Sequence, residues 1–240
     1  MQAINGNRPS TTGSHGAAQA GRKPDNLNDR QQTTSRNEST DDKRKPTRQR
    51  QHVCCAARDG GRIRENGIDS EIISIGAKAV QGCIACGKCA ELGRCVFNDT
   101  LYDKVRTALQ TADAIVIGSP VYYAGPNGSL CALLDRLFYS ASDLMQYKPA
   151  AAVAVCRRSG GSATLDRLNK YFTITNMPVV SSQYWNIVHG RTPGEASQDA
   201  EGLQTMRTLG RNMAWMLKNM EDGRHPAPTP EPRVMTNFIR

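Results

Sequence analysis

Four cysteines, Cys83, Cys86, Cys89 and Cys95, follow one another with two, two and five residues between them. Thiolates at that spacing can ligate a [4Fe–4S] cluster, the fourth swinging in from a short loop. A zinc ion is a second reading, although three tightly spaced cysteines suit a cubane better, and a loop of reduced thiols is a third. Shortly after them an apolar run, Ala114-Ile115-Val116-Ile117, ends in Gly118-Ser119-Pro120-Val121-Tyr122-Tyr123-Ala124-Gly125-Pro126-Asn127-Gly128. Proline and glycine fix the path of this segment, and Tyr122 and Tyr123 offer flat apolar faces. A planar heteroaromatic ring can pack there, held at its polar edge by main-chain amides. An ordinary strand-to-helix turn with two surface tyrosines is the plain alternative.

The elements around these residues alternate. Ser70 to Ile75 is rich in isoleucine and closed by Gly76, which predicts a short strand. Leu101 to Thr111 reads as a helix capped by Asp99 or Thr100, with Leu101, Val105 and Leu109 on one face. The continuous apolar run at residues 114–117 predicts a strand buried on both faces. A helix follows over 128–140, with Leu130, Leu133, Leu134 and Leu137 inward and Asp135 and Arg136 projecting elsewhere. Ala150 to Cys156 reads as another buried strand, Ala163 to Tyr171 as a helix, and Met177 to Ser181 as a further strand. From about Glu195 to Met220, Leu203, Met206, Leu209, Met213, Met216, Leu217 and Met220 recur at three- and four-residue steps, the stripe of a helix packed on a sheet. This rhythm predicts an α/β, doubly wound parallel sheet. Ligands of such sheets bind beyond the carboxyl ends of the strands. The loops after Gly118, after Arg157 and from Gln183 to Gly190 are therefore the ones to watch. There His189 reads as a satisfied loop histidine, and Arg157 and Arg158 as a solvated rim with the option of holding a nicotinamide phosphate. Cys131 and Cys156 read as packed small apolar residues.

The formal net charge of the 240-residue chain is +9, but much of the basic excess lies before Gly67. No aromatic residues interleave with it and no recognition module follows, so specific nucleic-acid binding is not expected. The first residues lack the apolar stretch of a signal peptide and no run is long enough to span a bilayer, so a cytoplasmic protein without membrane partners is expected. Eight cysteines in such a chain read as thiols or metal ligands, not as a disulfide framework. Residues 1–61 read as a disordered or aberrant leader, 62–223 as the folded domain, and 224–240 as an extended, proline-rich tail.

The segments Gly82-Cys83-Ile84-Ala85-Cys86-Gly87-Lys88-Cys89, Gly118 to Tyr123, Leu133-Leu134-Asp135-Arg136 and Ser181-Ser182-Gln183-Tyr184-Trp185-Asn186 resemble those of the flavodoxin-like NAD(P)H-dependent FMN reductases. They resemble most the branch that includes the iron–sulfur flavoproteins, over about residues 66 to 240. The resemblance implies a flavodoxin-like fold, bound FMN, electrons from NAD(P)H, and a small-molecule acceptor that can itself be a flavin. It implies that Ser119, Pro120, Val121, Tyr122 and Tyr123, with Asn127 and Gly128 beyond them, lie against the flavin, and that Arg157, Ser159, Gly160 and Gly161 lie near the same ring. It also implies that Cys83, Cys86, Cys89 and Cys95 are the ligand set of a [4Fe–4S] cluster where one is held, and that the chain forms a homo-oligomer. An electron-transfer protein without nicotinamide use, and an inactive remnant, are the alternatives. No catalytic side chain is assigned.

Such a domain needs a first strand and a loop that wraps the FMN phosphate, resembling N-G-S-P-R-x-x-G-N-T in this family. The sequence reading finds neither before Ile68. Residues 43–61, from Lys43 to Gly61, are compatible with a one-base shift of reading frame, in which the codons permit N-G-S-P-R-D-N-G-N-T-Y-V-A-L-R-E-M-A-G running on into Arg62. The expectation is a sheet with an unfilled slot, a missing phosphate loop and weakened FMN affinity. Sequencing the gene across these codons tests the frame shift.

Overall fold

Alternation along one apolar strand decides the architecture. In β3, Ala114–Tyr122, the side chains of Ile115 and Ile117 enter one core and those of Ala114 and Val116 the other. Successive strand side chains point to opposite faces, so a strand apolar at every position must be covered on both sides. The structure, a computed structural model, describes residues 1–6, 68–221, 226–229, 231–232 and 234–236. Its remaining described strands are β1 (Gln2–Gly6), β2 (Ile68–Ile72), β4 (Gly125–Pro126), β5 (Ala150–Cys156) and β6 (Ile187–His189). The helices are α1 (Cys89–Leu92), α2 (Thr100–Thr111), α3 (Gly128–Ser140), α4 (Gly161–Ile174) and α5 (Ala200–Glu221).

The strands line up as β2-β1-β3-β5-β6, with β4 paired to β3. β3, β5 and β6 are parallel. One core is filled by α2, α3 and α4 through residues such as Val105, Leu134 and Phe172. The other is filled by α5, where Met206, Leu209, Met213 and Leu217 are buried against Val153, Val155 and Val188. The expected methionine stripe is therefore core packing, and only its last member, Met220, is exposed. No helix among the described residues is long and apolar enough to cross a membrane.

Two expectations change. The slot left open in the sequence reading is filled by Gln2–Gly6, inside the supposed leader. β1 runs antiparallel to both neighbours, with Gln2 opposite Ile72 on one side and Val116 on the other. The reason is unpaired backbone: two strands facing an empty slot present rows of N–H and C=O groups, and any short extended segment that reaches them pairs on both sides. Residues 43–61 lie outside the described residues. The strand expected at Met177 to Ser181 shrinks to a single bridge between Val179 and Ala150, and the paired edge strand is β6. Pro178 withholds a donor, and the chain bulges away at residues 181–185 before Asn186 returns it to Ala154 with a 2.9 Å bond.

α3 and α4 are clamped near their ends. The Tyr171 hydroxyl donates to Asp135, and Arg167 stands over the Tyr171 ring at 4.6 Å while donating to its hydroxyl at 3.0 Å. Burial, and then the adjacent Asp135 carboxylate, push the Tyr171 hydroxyl well above the ordinary tyrosine range. Tyr171→Phe is expected to cost about 1 kcal/mol, because the bond is to a charged group but Asp135 is half exposed to solvent. Urea unfolding with an unchanged slope and a lower midpoint is the expected readout.

Candidate functional site

The carboxyl end of β3 leaves the sheet as a hairpin. Val121 pairs with Pro126 and Tyr122 with Gly125, so Tyr123 and Ala124 form the two-residue turn, at φ 50° and 58°. A turn with positive φ at both positions matches the twist of the strands but normally takes asparagine or glycine. Tyrosine and alanine there hold strain of about 1–2 kcal/mol per residue, which persists only where neighbours over-determine it. Two features do so. The buried Ser119 hydroxyl donates to the Pro120 carbonyl at 2.8 Å and accepts from the Asn127 N–H at 2.9 Å, while Asn127 Oδ1 caps α3 through Leu130 N at 3.1 Å. Gly160, at φ +86°, then presses on the turn from the next loop. A Cβ there would stand 2.7 Å from Ala124 Cα and 2.9 Å from Val121 Cγ1. Gly161, the first residue of α4, is close to a side chain instead, since its Cβ would meet Ile187 Cδ1 at 2.6 Å, an atom that can swing aside.

The expected ring-side residues therefore meet at one rim, though they differ in what they offer. Ser119 and Asn127 spend their side chains on the hairpin. Tyr122 is half exposed, Tyr123 is fully exposed, and Arg157 and Ser159 point to solvent. The rim continues into an open groove of about 520 Å³ lined by Arg157, His189, Gly190, Arg191, Glu195 and Asp199. His189 is held by Asp199, whose Oδ2 accepts the His189 backbone N–H at 2.7 Å and lies 3.5 Å from Nδ1. Glu195 accepts from Thr192 Oγ1 at 2.6 Å, Arg191 N at 2.6 Å and Thr192 N at 3.1 Å. These bonds pull its carboxyl down to about 2. A depressed folded value means that the tie is intact above the ordinary carboxylate range and is lost as pH falls through about 2. The Arg191 and Thr192 amides are expected to stay protected from exchange at pH 4, and Glu195→Gln to release them there, as read by hydrogen exchange.

The four motif cysteines gather at a second place. Cys83, Cys86, Cys89 and Cys95 line one small pocket of about 20 Å³, with Ile84, Val96, Phe97 and Tyr139 among its walls. Ala85 N donates to Cys83 Sγ at 3.4 Å, and Cys89 Sγ lies 3.9 Å from the Tyr139 carbonyl. Among the described residues no three histidine, cysteine or acidic groups are grouped to hold a single metal ion. Four thiols along one wall suit a multi-iron cluster, which spreads its ligand sulfurs over several irons, better than one zinc ion, whose ligand sulfurs must all stand about 2.3 Å from the metal. The donor set thus fits the cluster.

Arg136 also lines this cavity, against the expectation that it projects elsewhere. It is 1 % exposed, because residues 81–99 fold over α3 and supply it with partners. Its Nη1 meets Asp99 Oδ2 at 2.6 Å and its Nε meets Cys95 Sγ at 3.2 Å. Burial works against the charged form, but the contacts with Cys95 and Asp99 outweigh it and raise the Arg136 pKa. Cys131 lies on α3 apart from the rim, Cys156 is buried beside the groove as the neighbour of Arg157 and the strand partner of His189, and burial pushes both thiols up.

β1 ends in Asn5-Gly6, and Asn7-Arg8-Pro9-Ser10-Thr11-Thr12-Gly13-Ser14 follows, which shares Asn-Gly and the later Gly with the family's phosphate-loop pattern but reverses its proline and arginine. Residues 7–67 lie outside the described residues. In the observed register Gly6 stands opposite Ile68, at the amino end of β2, and Ile4 opposite Ala114, at the amino end of β3, so β1 ends at the sheet edge opposite the hairpin rim.

Comparison with known proteins agrees with this geometry. An iron-sulfur flavoprotein of Methanocaldococcus jannaschii is 34% identical over 164 residues, covering 65% of this chain and 84% of that protein. One from Methanosarcina thermophila is 27% identical over 165 residues, covering 67% of this chain and 85% of that protein. Among solved structures, RosB with its bound 8-demethyl-8-formylriboflavin-5'-phosphate intermediate has a TM-score of 0.56 at 12% identity, covering 82% of this chain and 90% of that one. An NADH:FMN oxidoreductase in its apo form has a TM-score of 0.52 at 15% identity, covering 75% and 90%. At these identities the two structures establish the flavodoxin-like fold alone. The profile of the NADPH-dependent FMN reductases matches residues 44–192, beginning further back than the motifs quoted above and stopping short of α5. A hairpin rim and a four-thiol cavity on one flavodoxin-like sheet, together with this match, place the chain in the NADPH-dependent FMN reductase family.

Proposed function

We propose that this chain is an NAD(P)H-dependent oxidoreductase that uses FMN to reduce a flavin or another small acceptor, and that its four motif cysteines hold a [4Fe–4S] cluster. The observation that carries the flavin reading is the contact of two rim loops at Gly160, which sets the strained Tyr123-Ala124 turn beside the Arg157 to Gly161 segment. Val121, Tyr122 and Tyr123 would flank the ring from one loop, and the Arg157 to Gly161 backbone would meet its polar edge from the other. FMN, when bound, takes a hydride equivalent from a reduced nicotinamide and passes the electrons on. The chain's own part is to hold the ring at the switch of the sheet, to keep the hairpin from relaxing, and to leave one side open for the nicotinamide through the Arg157–His189 groove. Arg157 offers the fork that a nicotinamide phosphate needs.

The cluster half of the reading is supported by the shared cavity of Cys83, Cys86, Cys89 and Cys95 and by the names of the relatives. It favours a second version of the function, in which the protein carries single electrons and uses nicotinamide poorly. Purification of the full chain under anaerobic conditions, with an absorbance spectrum, iron and sulfide analysis and an NADPH oxidation assay, separates them. Flavin bands with turnover support the reductase. Flavin and cluster bands without turnover support the electron carrier. Absence of flavin after incubation with FMN refutes both. Pairing into a homo-oligomer, implied by the resemblance, is read from the same sample by light scattering.

A further inference from the structure

We infer that Arg136 is a positioning residue for the cluster, fixing Cys95 and setting the reduction potential by donating to that one sulfur. The inference rests on the cysteine reading above. The guanidinium is buried, and each of its nitrogens is engaged. Nε meets Cys95 Sγ at 3.2 Å, Nη1 meets Asp99 Oδ2 at 2.6 Å and the Gln81 carbonyl at 3.4 Å, and Nη2 meets the Phe97 carbonyl at 3.0 Å. The Tyr102 ring lies 4.8 Å from its centre and the Phe97 ring 5.6 Å. A planar fork held at so many points cannot turn, so its Nε–H is aimed at Cys95 with little freedom.

The contact separates Cys95 from its neighbours. Cys83 takes a neutral backbone N–H from Ala85, and Cys89 stands beside a carbonyl. Cys95 meets a full cation whose guanidinium is itself buried. Reduction of a cluster adds negative charge, and an N–H donor or cation at a ligand sulfur stabilises the reduced state more than the oxidised one. Arg136 should therefore raise the potential. Asp99 opposes it, since its carboxylate neutralises part of that cation from the far side of the fork. The two residues make a graded device: one charge at the sulfur, and a second that weakens it.

The test uses the full chain, reconstituted anaerobically with ferrous iron and sulfide and titrated electrochemically, with iron content and the electron paramagnetic resonance signal of the reduced form as further readouts. Arg136→Met keeps an unbranched buried side chain while removing charge and donors. It is expected to lower the reduced-to-oxidised ratio at a given poise at least tenfold, about 59 mV for one electron. Asp99→Asn keeps an acceptor to cap α2 through Tyr102 N, removes the opposing charge, and is expected to shift the ratio the other way. If Arg136→Met does not fold, Asp99→Asn alone decides: a raised potential supports the inference, and an unchanged one overturns it. Wild-type and variant chains with full iron and equal potentials overturn the inference and leave the cluster reading standing. A wild-type chain that takes up no iron overturns both.

Discussion

Gly160→Ala is expected to weaken FMN binding at least tenfold and to lower the melting temperature. Two costs combine at this residue. Its φ of +86° is a left-handed conformation that costs an L-residue about 1–2 kcal/mol. The added Cβ would also stand 2.7 Å from the Ala124 Cα, a backbone atom that cannot swing aside as a side-chain end can. Relief requires the Arg157 to Gly161 loop and the hairpin to part, and those are the two surfaces proposed to hold the ring. Gly194 is the control, with φ +91° and nothing within 4 Å of its Cβ position. Gly194→Ala should carry the conformational cost alone and leave flavin affinity unchanged. Fluorescence titration with FMN measures both variants, and equal affinities for Gly160→Ala and the wild type would show that the rim is not the ring site.

Removal of Gln2–Gly6 is expected to cost on the order of 5 kcal/mol, comparable with the whole stability margin of a small domain. β1 is interior to the sheet, with Ala3 opposite both Glu71 and Ile115. Its loss bares the inner edges of β2 and β3 together and strands β2, whose only described partner is β1. Exposed edges of that kind template aggregation. Light scattering on warming should rise early, and the urea midpoint should fall. Ala3→Pro, which removes one backbone donor and preserves chain length, should show the same direction with a smaller size. A truncated chain with the wild-type midpoint would mean that this strand does not occupy the slot.

Much of the fold was legible because its signals are local. The strands at 114 and 150 are apolar at every position, and that pattern is stable only between two helical layers. The helix at 100–111 carries its cap, Asp99, in the residue before the first turn, and that cap makes the expected bond. The cysteine spacing announced that four thiols gather in one place. What escaped depends on distant partners. Five residues with ordinary composition gave no reason to place Gln2–Gly6 inside a sheet; two vacant edges did. Pro178 and the bulge at 181–185 moved the edge strand to Ile187, a choice made by pairing with β5.

By itself the sequence determined that a doubly wound sheet forms, that a turn carrying two tyrosines ends the strand at 114, and that four thiols stand close together, because periodicity and spacing are written along the chain. Only the tertiary structure decided that Ser119 and Asn127 serve the hairpin, that Gly160 locks it, and that Arg136 turns inward to Cys95 and Asp99. A buried charge is tolerable only where groups far apart in sequence converge to satisfy it, and no local pattern records that convergence.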